Sequence, residues 1–120
     1  LTDVRAARQA MNENRAEQGE WLQRLPDGTQ ILSHMTSQDR GQRSLHLAFR
    51  NDESPQRNQS SLAATLQRDG LALERENKLQ GAARVVYFRG PGKEGMATIS
   101  PAADGKTVVV LNTITRMETR

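Results

Sequence analysis

The stretch that decides the fold is ARVVYFRGPGKEGMATISPAADGKTVVVLNTI, residues 83–114. ARVVYFR (83–89) is rich in β-branched and aromatic side chains, which suit a pleated, half-buried surface. GPGKEG (90–95) connects it to MATISP (96–101), and Ala103-Asp104-Gly105-Lys106 connects that to TVVVLNTI (107–114). Asp-Gly pairs favour the positive dihedral angles that tight hairpins use, so the segment reads as three antiparallel strands in a meander.

Working outward, SLAATLQ and LALERE flank Arg68-Asp69-Gly70 and read as a further hairpin, with a short helix over 61–67 as the alternative. The antiparallel meander then spans 62–114. Residues 51–61, NDESPQRNQSS, contain no aliphatic side chain and are expected to form a flexible loop. TQILSHMT (29–36) and RSLHLAFR (43–50) supply the first strands, within 29–50, with Gly41 in the turn between them. Leu45, Leu47 and Phe49 fall on one face and His46 and Arg50 on the other.

Upstream of Asp27-Gly28 the period becomes helical. Val4, Ala7, Met11, Trp21 and Leu25 recur at heptad-like spacing and Leu22 widens the stripe, so residues 1–25 read as an amphipathic helix. Thr2 or Asp3 caps its start and Pro26 ends it. Asn14 and Gln18 interrupt the stripe where a self-sufficient coiled coil needs apolar side chains. The expectation is one α+β domain over 1–120, an N-terminal amphipathic helix packed on an antiparallel β-sheet with a C-terminal meander. The helix packs its last turns on the sheet and its first turns elsewhere.

Composition bounds the chemistry. With 35% hydrophobic and 3% aromatic residues and a mean hydropathy of -0.74, the core is thin. The absence of cysteine excludes disulfides, thiolate nucleophiles and zinc knuckles. No stretch approaches the roughly 18 consecutive apolar residues that span a bilayer, and the chain reads as a soluble domain. It begins at Leu1 rather than Met, which points to upstream residues, a membrane segment among the options. Net charge is +3, and the basic excess is diffuse within 62–120. There is no Lys/Arg run and no aromatic residues interleaved with basic ones as a stacking platform. A nucleic-acid- or protein-binding module is the alternative reading, with Arg84, Arg89, Lys93 and Lys106 as its contacts.

Three patterns invite chemistry. Gly90-Pro91-Gly92-Lys93-Glu94-Gly95 matches GxGxxG after a strand, but a dinucleotide loop needs a helix next and MATISP follows, so a hairpin connection is expected. His34 and His46, with Asp39 between them, converge on a site only if paired strands bring the two rings together; otherwise they belong to a solvated β-face. Asp69, Glu74, Glu76 and Glu94 are interleaved with basic residues, and Glu74 and Glu76 are expected on one wet face opposite Leu71 and Leu73. Asn58-Gln59-Ser60 is a formal glycosylation sequon within the polar segment. None of these makes a catalytic constellation, and no enzyme, metal or cofactor is expected.

The helix, the polar region and the ending GMATISPAADGKTVVVLNTITRMETR (95–120) together resemble the soluble part of type IV pilin-like proteins, particularly minor pilins and type II secretion pseudopilins. In such subunits a Gly-rich turn leads into a Thr/Ile strand, an Asp-Gly turn and a Val-rich strand ending in Thr-Arg. The family's cleavage site and hydrophobic half-helix would lie before Leu1, and the cysteine pair of many pilins is absent. The resemblance implies a non-enzymatic filament subunit, membrane-anchored in the bacterial envelope with a periplasmic or extracellular domain. Val4, Ala7 and Met11 would then pack against other pilin-like subunits.

Overall fold

The computed structural model of the chain describes residues 2–117; along the first helix it describes the side chains of Arg5, Arg8, Gln9 and everything from Asn12 onward. In chain order the elements are α1 (Thr2–Arg24), β1 (Gln30–Asp39), β2 (Gln42–Asn51), α2 (Pro55–Arg68), β3 (Ala72–Lys78), β4 (Arg84–Gly90), β5 (Lys93–Pro101) and β6 (Thr107–Arg116). The strands form one antiparallel sheet in the order β1-β2-β6-β5-β4-β3. The last strand enters the centre of the sheet and joins the first hairpin to the later meander.

Alternation along the strands sorts the two faces. Leu47 and Phe49 on β2, Leu111 and Val109 on β6, and Ala97 and Ile99 on β5 occupy matching register positions, Val86 on β4 continues the Ala97 row and Phe88 stands opposite Gly95, and all eight hydrophobic residues are almost fully buried. Leu62 and Leu66 of α2, one helical turn apart, seal this face, and Trp21 and Leu25 from the end of α1 complete the cluster. Fully burying each such leucine contributes about 1.5–3 kcal/mol. The opposite face presents Met35, His46, Asn112, Met96 and Tyr87 at one register across five strands, with Met35 and Met96 exposed.

The expected architecture is corrected in its helices. The molecule is mainly a six-stranded antiparallel sheet, and α1 packs at the sheet edge along β1 rather than across the sheet. The span 51–61 is no loop, and 62–67 is no strand: both lie largely in α2. Ser54 caps α2 by accepting from the Arg57 N–H, and Pro55 stands in the first turn, where its missing N–H costs nothing. The buried stripe of this helix is Asn58, Leu62, Thr65 and Leu66, half of it polar, so apolar spacing does not reveal it.

Asn58 is buried because it meets Asn51 at the end of β2. Each carboxamide donates to the other at 2.8 Å; Asn51 also donates to Thr29 Oγ1 at 3.1 Å, and Asn58 to the Glu53 and Ser54 carbonyls. Thr107 Oγ1 donates to the same Glu53 carbonyl at 2.6 Å, tying in the start of β6. The acceptor asparagine of the glycosylation triplet is therefore closed inside the fold.

Within GxGxxG, β5 already begins at Lys93, so the turn is only Pro91-Gly92, with Gly92 at φ +69°. Gly90 lies against the backbone after α2: a Cβ there would stand 1.8 Å from the Gly70 carbonyl oxygen. The motif's glycines serve backbone packing. A bulge in β3 between Leu73 and Arg75 sends Glu74 to Arg89 (3.2 Å) and Glu76 to Gln59 of α2 (3.2 Å), so the two carboxylates do not share a face.

Two sets of variants test these constraints by urea unfolding. Gly90→Ala is expected to lose about 1–3 kcal/mol through backbone displacement, whereas Gly19→Ala, with open space around it in α1, gains about 0.5–1 kcal/mol. Asn51→Ala and Asn58→Ala each strand a buried amide and cost about 1–3 kcal/mol, and the double variant costs clearly less than their sum.

Candidate functional site

Both helices lie over the same sheet face, and their C-terminal ends are joined. Arg24 of α1 donates to the Thr65 carbonyl at 2.9 Å and to Asp69 Oδ2 at 2.8 Å, while Thr65 Oγ1 returns a bond to the Arg24 carbonyl at 3.1 Å. The Arg24 guanidinium also stacks 4.7 Å above the Trp21 ring. Between the joined helices and the sheet a groove of about 660 Å³ remains open.

Its floor is apolar, formed by Trp21, Leu45, Leu66 and Leu71. Thr36 and Thr113 stand beside Leu45 at one register on β1 and β6 and add hydroxyls. The rim is charged, with Arg24, Arg43, Arg68 and Lys93 facing Glu17, Glu20 and Asp69. Lys93 Nζ donates to the Asp69 carbonyl at 2.6 Å, at the C-terminal end of α2 where a cation suits the helix dipole. Arg43 holds a longer 3.4 Å contact to Glu17 Oε1. The dimensions match those of small-molecule sites, which combine an apolar lining with a few placed polar groups.

His34 explains how α1 is held beside this groove. Its ring is wholly buried and meets Asn14 through Nδ1. With Asn14 presenting its carboxamide oxygen, Nδ1 donates and Nε2 turns toward Glu17 Oε2, 3.3 Å away and off the line of a good hydrogen bond. The polar break in the helix stripe at Asn14 is thus the docking point of α1 on β1.

The histidines do not meet. His34 pairs with Leu47 and faces the core; His46 pairs with Met35, faces the open side and bonds Asn112 Oδ1 at 3.0 Å. Asp39 lies at the hairpin end and is exposed. The separation follows from the two-residue turn Arg40-Gly41, at φ 44° and 76°, which pairs Asp39 with Gln42 and so places even-numbered residues of the two strands on opposite faces. Recognising that turn is the local signal that sets the parity. No group of three or more His, Asp or Glu suited to a metal ion occurs among the described residues.

The four basic residues of the nucleic-acid reading are dispersed. Arg84 lies under α2 and donates to Gln59 Oε1 at 3.0 Å, Arg89 faces the open side with Glu74, Lys93 is at the groove, and Lys106 bonds Asp52 at 2.7 Å at the other end of the sheet. They form no continuous stripe. Val4, Ala7 and Met11 lie outside the residues whose side chains are described; among the described residues the first of the helix to bond β1 is Asn14. No helix among the described residues is long and apolar enough to cross a membrane.

The His34 anchor predicts a localised effect. In His34→Leu, amide exchange over residues 12–20 is expected to quicken about tenfold or more, as for loss of one or two buried polar contacts, while Leu47 and Val109 stay protected. His46→Leu leaves both regions unchanged. Unaltered α1 protection in His34→Leu overturns the assignment.

Comparison with known proteins assigns no family. No family model matches the chain, and no curated protein matches it. CalU16 from Micromonospora echinospora, known from a crystal structure, is similar at a TM-score of 0.38 and 16% identity, over 77% of this chain and 73% of that one. A likeness at that level carries no inference to this chain.

Proposed function

We propose that this chain is a binding module that takes a small amphipathic molecule in the groove between α1, α2 and the sheet. The observation that carries this reading is the 660 Å³ groove, which opens over the partly exposed Leu45 and is walled by the packed side chains of Trp21, Leu66 and Leu71 and by a charged rim. The module acts by sequestering or presenting its ligand, and the reading invokes no reaction.

A filament subunit, the role that the sequence resemblance implies, retains α1 and the C-terminal meander in its support. The insertion of α2 and the edge position of α1 depart from the uninterrupted helix-then-sheet order on which that resemblance rested. The groove is therefore the better-supported starting point.

Trp21 is the chain's sole tryptophan and lies in the groove wall, so it reports directly on occupancy. Titration with the neutral apolar probe N-phenyl-1-naphthylamine is expected to quench Trp21 and saturate at one probe per chain. Thr36→Phe, which fills one side of the groove from an exposed position on β1, is expected to weaken binding about tenfold. Absent, unsaturable or Thr36→Phe-insensitive binding removes the proposal.

A further inference from the structure

The register of the sheet gives the groove a polarity along its length. Leu45 and Thr113 form the inner row across β2 and β6. One step outward on the same face, Arg43, Thr115 and Lys93 occupy a single register across β2, β6 and β5. Adjacent strands lie about 4.8 Å apart, so the two cation-bearing positions are separated by about 10 Å, with a hydroxyl-bearing position between them. All three residues line the groove. The apolar floor thus ends in a Lys/Thr/Arg mouth.

We propose that this mouth binds the carboxylate of an amphipathic organic acid whose apolar chain lies over Leu45, between Thr36 and Thr113 and beside the Trp21 wall. The inference rests on the groove being the ligand site and adds the chemistry of the ligand's head. Lys93 spends one ammonium donor on the Asp69 carbonyl and has two left. Arg43 has five guanidinium donors and uses one in its 3.4 Å contact with Glu17. The rim carries four cations, Arg24, Arg43, Arg68 and Lys93, against three carboxylates, Glu17, Glu20 and Asp69. A surplus of one positive charge complements a monoanion. The carboxylate accepts charge-assisted hydrogen bonds at the mouth, and the chain covers the partly exposed Leu45.

The test compares decanoate, decan-1-ol and decylammonium, all below their aggregation concentrations, by Trp21 fluorescence and calorimetry on the whole chain. Decanoate is expected to bind about tenfold or more tighter than decanol, the ratio that one charge-assisted hydrogen bond supplies, and decylammonium most weakly. Arg43→Gln and Lys93→Met are each expected to lower decanoate affinity severalfold and leave decanol affinity unchanged. Equal affinity for decanoate and decanol overturns the carboxylate assignment while leaving the groove as a ligand site. Failure of all three ligands, and of the naphthylamine probe, to bind overturns the groove itself. The comparison of ligands on the unaltered protein decides the question even where the Lys93 variant disturbs α2.

Discussion

The reciprocal pair between Asn51 and Asn58 is the contact on which the arrangement of the rest depends. It lies where β2 ends, α2 begins, Thr29 enters from the first connection and Thr107 starts the central strand β6. A buried carboxamide has two donors and an acceptor to satisfy, and one left without partners costs about 1–3 kcal/mol. Here Thr29 and the Glu53–Ser54 connection supply the partners beyond the pair itself. The pair therefore ties the end of β2 to the start of α2 and to the connection before β1, and it sets where α2 begins its path across the sheet face.

From that starting point the apolar and polar contacts divide the labour. Leu62 and Leu66 close the centre of the face, and the Arg24–Thr65–Asp69 contacts draw the end of α1 onto the end of α2. His34 holds α1 to β1 nearly three turns earlier through Asn14. Two helices joined at their ends, one of them along an edge strand, leave part of the face between them uncovered, and that uncovered part is the groove. Its existence follows from helix placement, while its lining follows from strand alternation. Both edge strands carry a bulge, between Ile31 and Ser33 in β1 and between Leu73 and Arg75 in β3. Bulges at both edges disfavour continuation of the sheet by another chain and direct recognition to the faces.

The candidate site was only partly legible beforehand. Lys93 stood out within a glycine-rich segment, but Arg43 and Thr115 are ordinary strand residues until antiparallel register sets them beside it. Trp21 was recognisable as a core-facing helix residue, though not as the wall of a groove. The histidines illustrate the same limit: a solvated β-face or, if the rings met, a shared site was expected for both, and the parity imposed by Arg40-Gly41 placed them on opposite faces with His34 buried. Glu74 and Glu76 were separated by a bulge, which inserts a residue at a place that alternation does not announce.

By itself, the sequence determined what depends on near neighbours: the alternating strands other than the one expected over 62–67, the Gly41, Pro91-Gly92 and Asp104-Gly105 turns between them, and a first helix ended by Pro26, whereas Asp69-Gly70 ends α2 instead of turning a hairpin. These follow from backbone sterics and a two-residue or 3.6-residue period, which act over a few positions. Only the tertiary structure decided that 55–68 is a helix, that Asn14 and His34 join α1 to the sheet edge, and that a groove remains between the helices. In α2 half of the buried stripe is polar, so its stability comes from Asn51 and from the apolar sheet face beneath it rather than from its own pattern. Such partners lie far away in the chain, and their contribution exists only once the sheet has assembled.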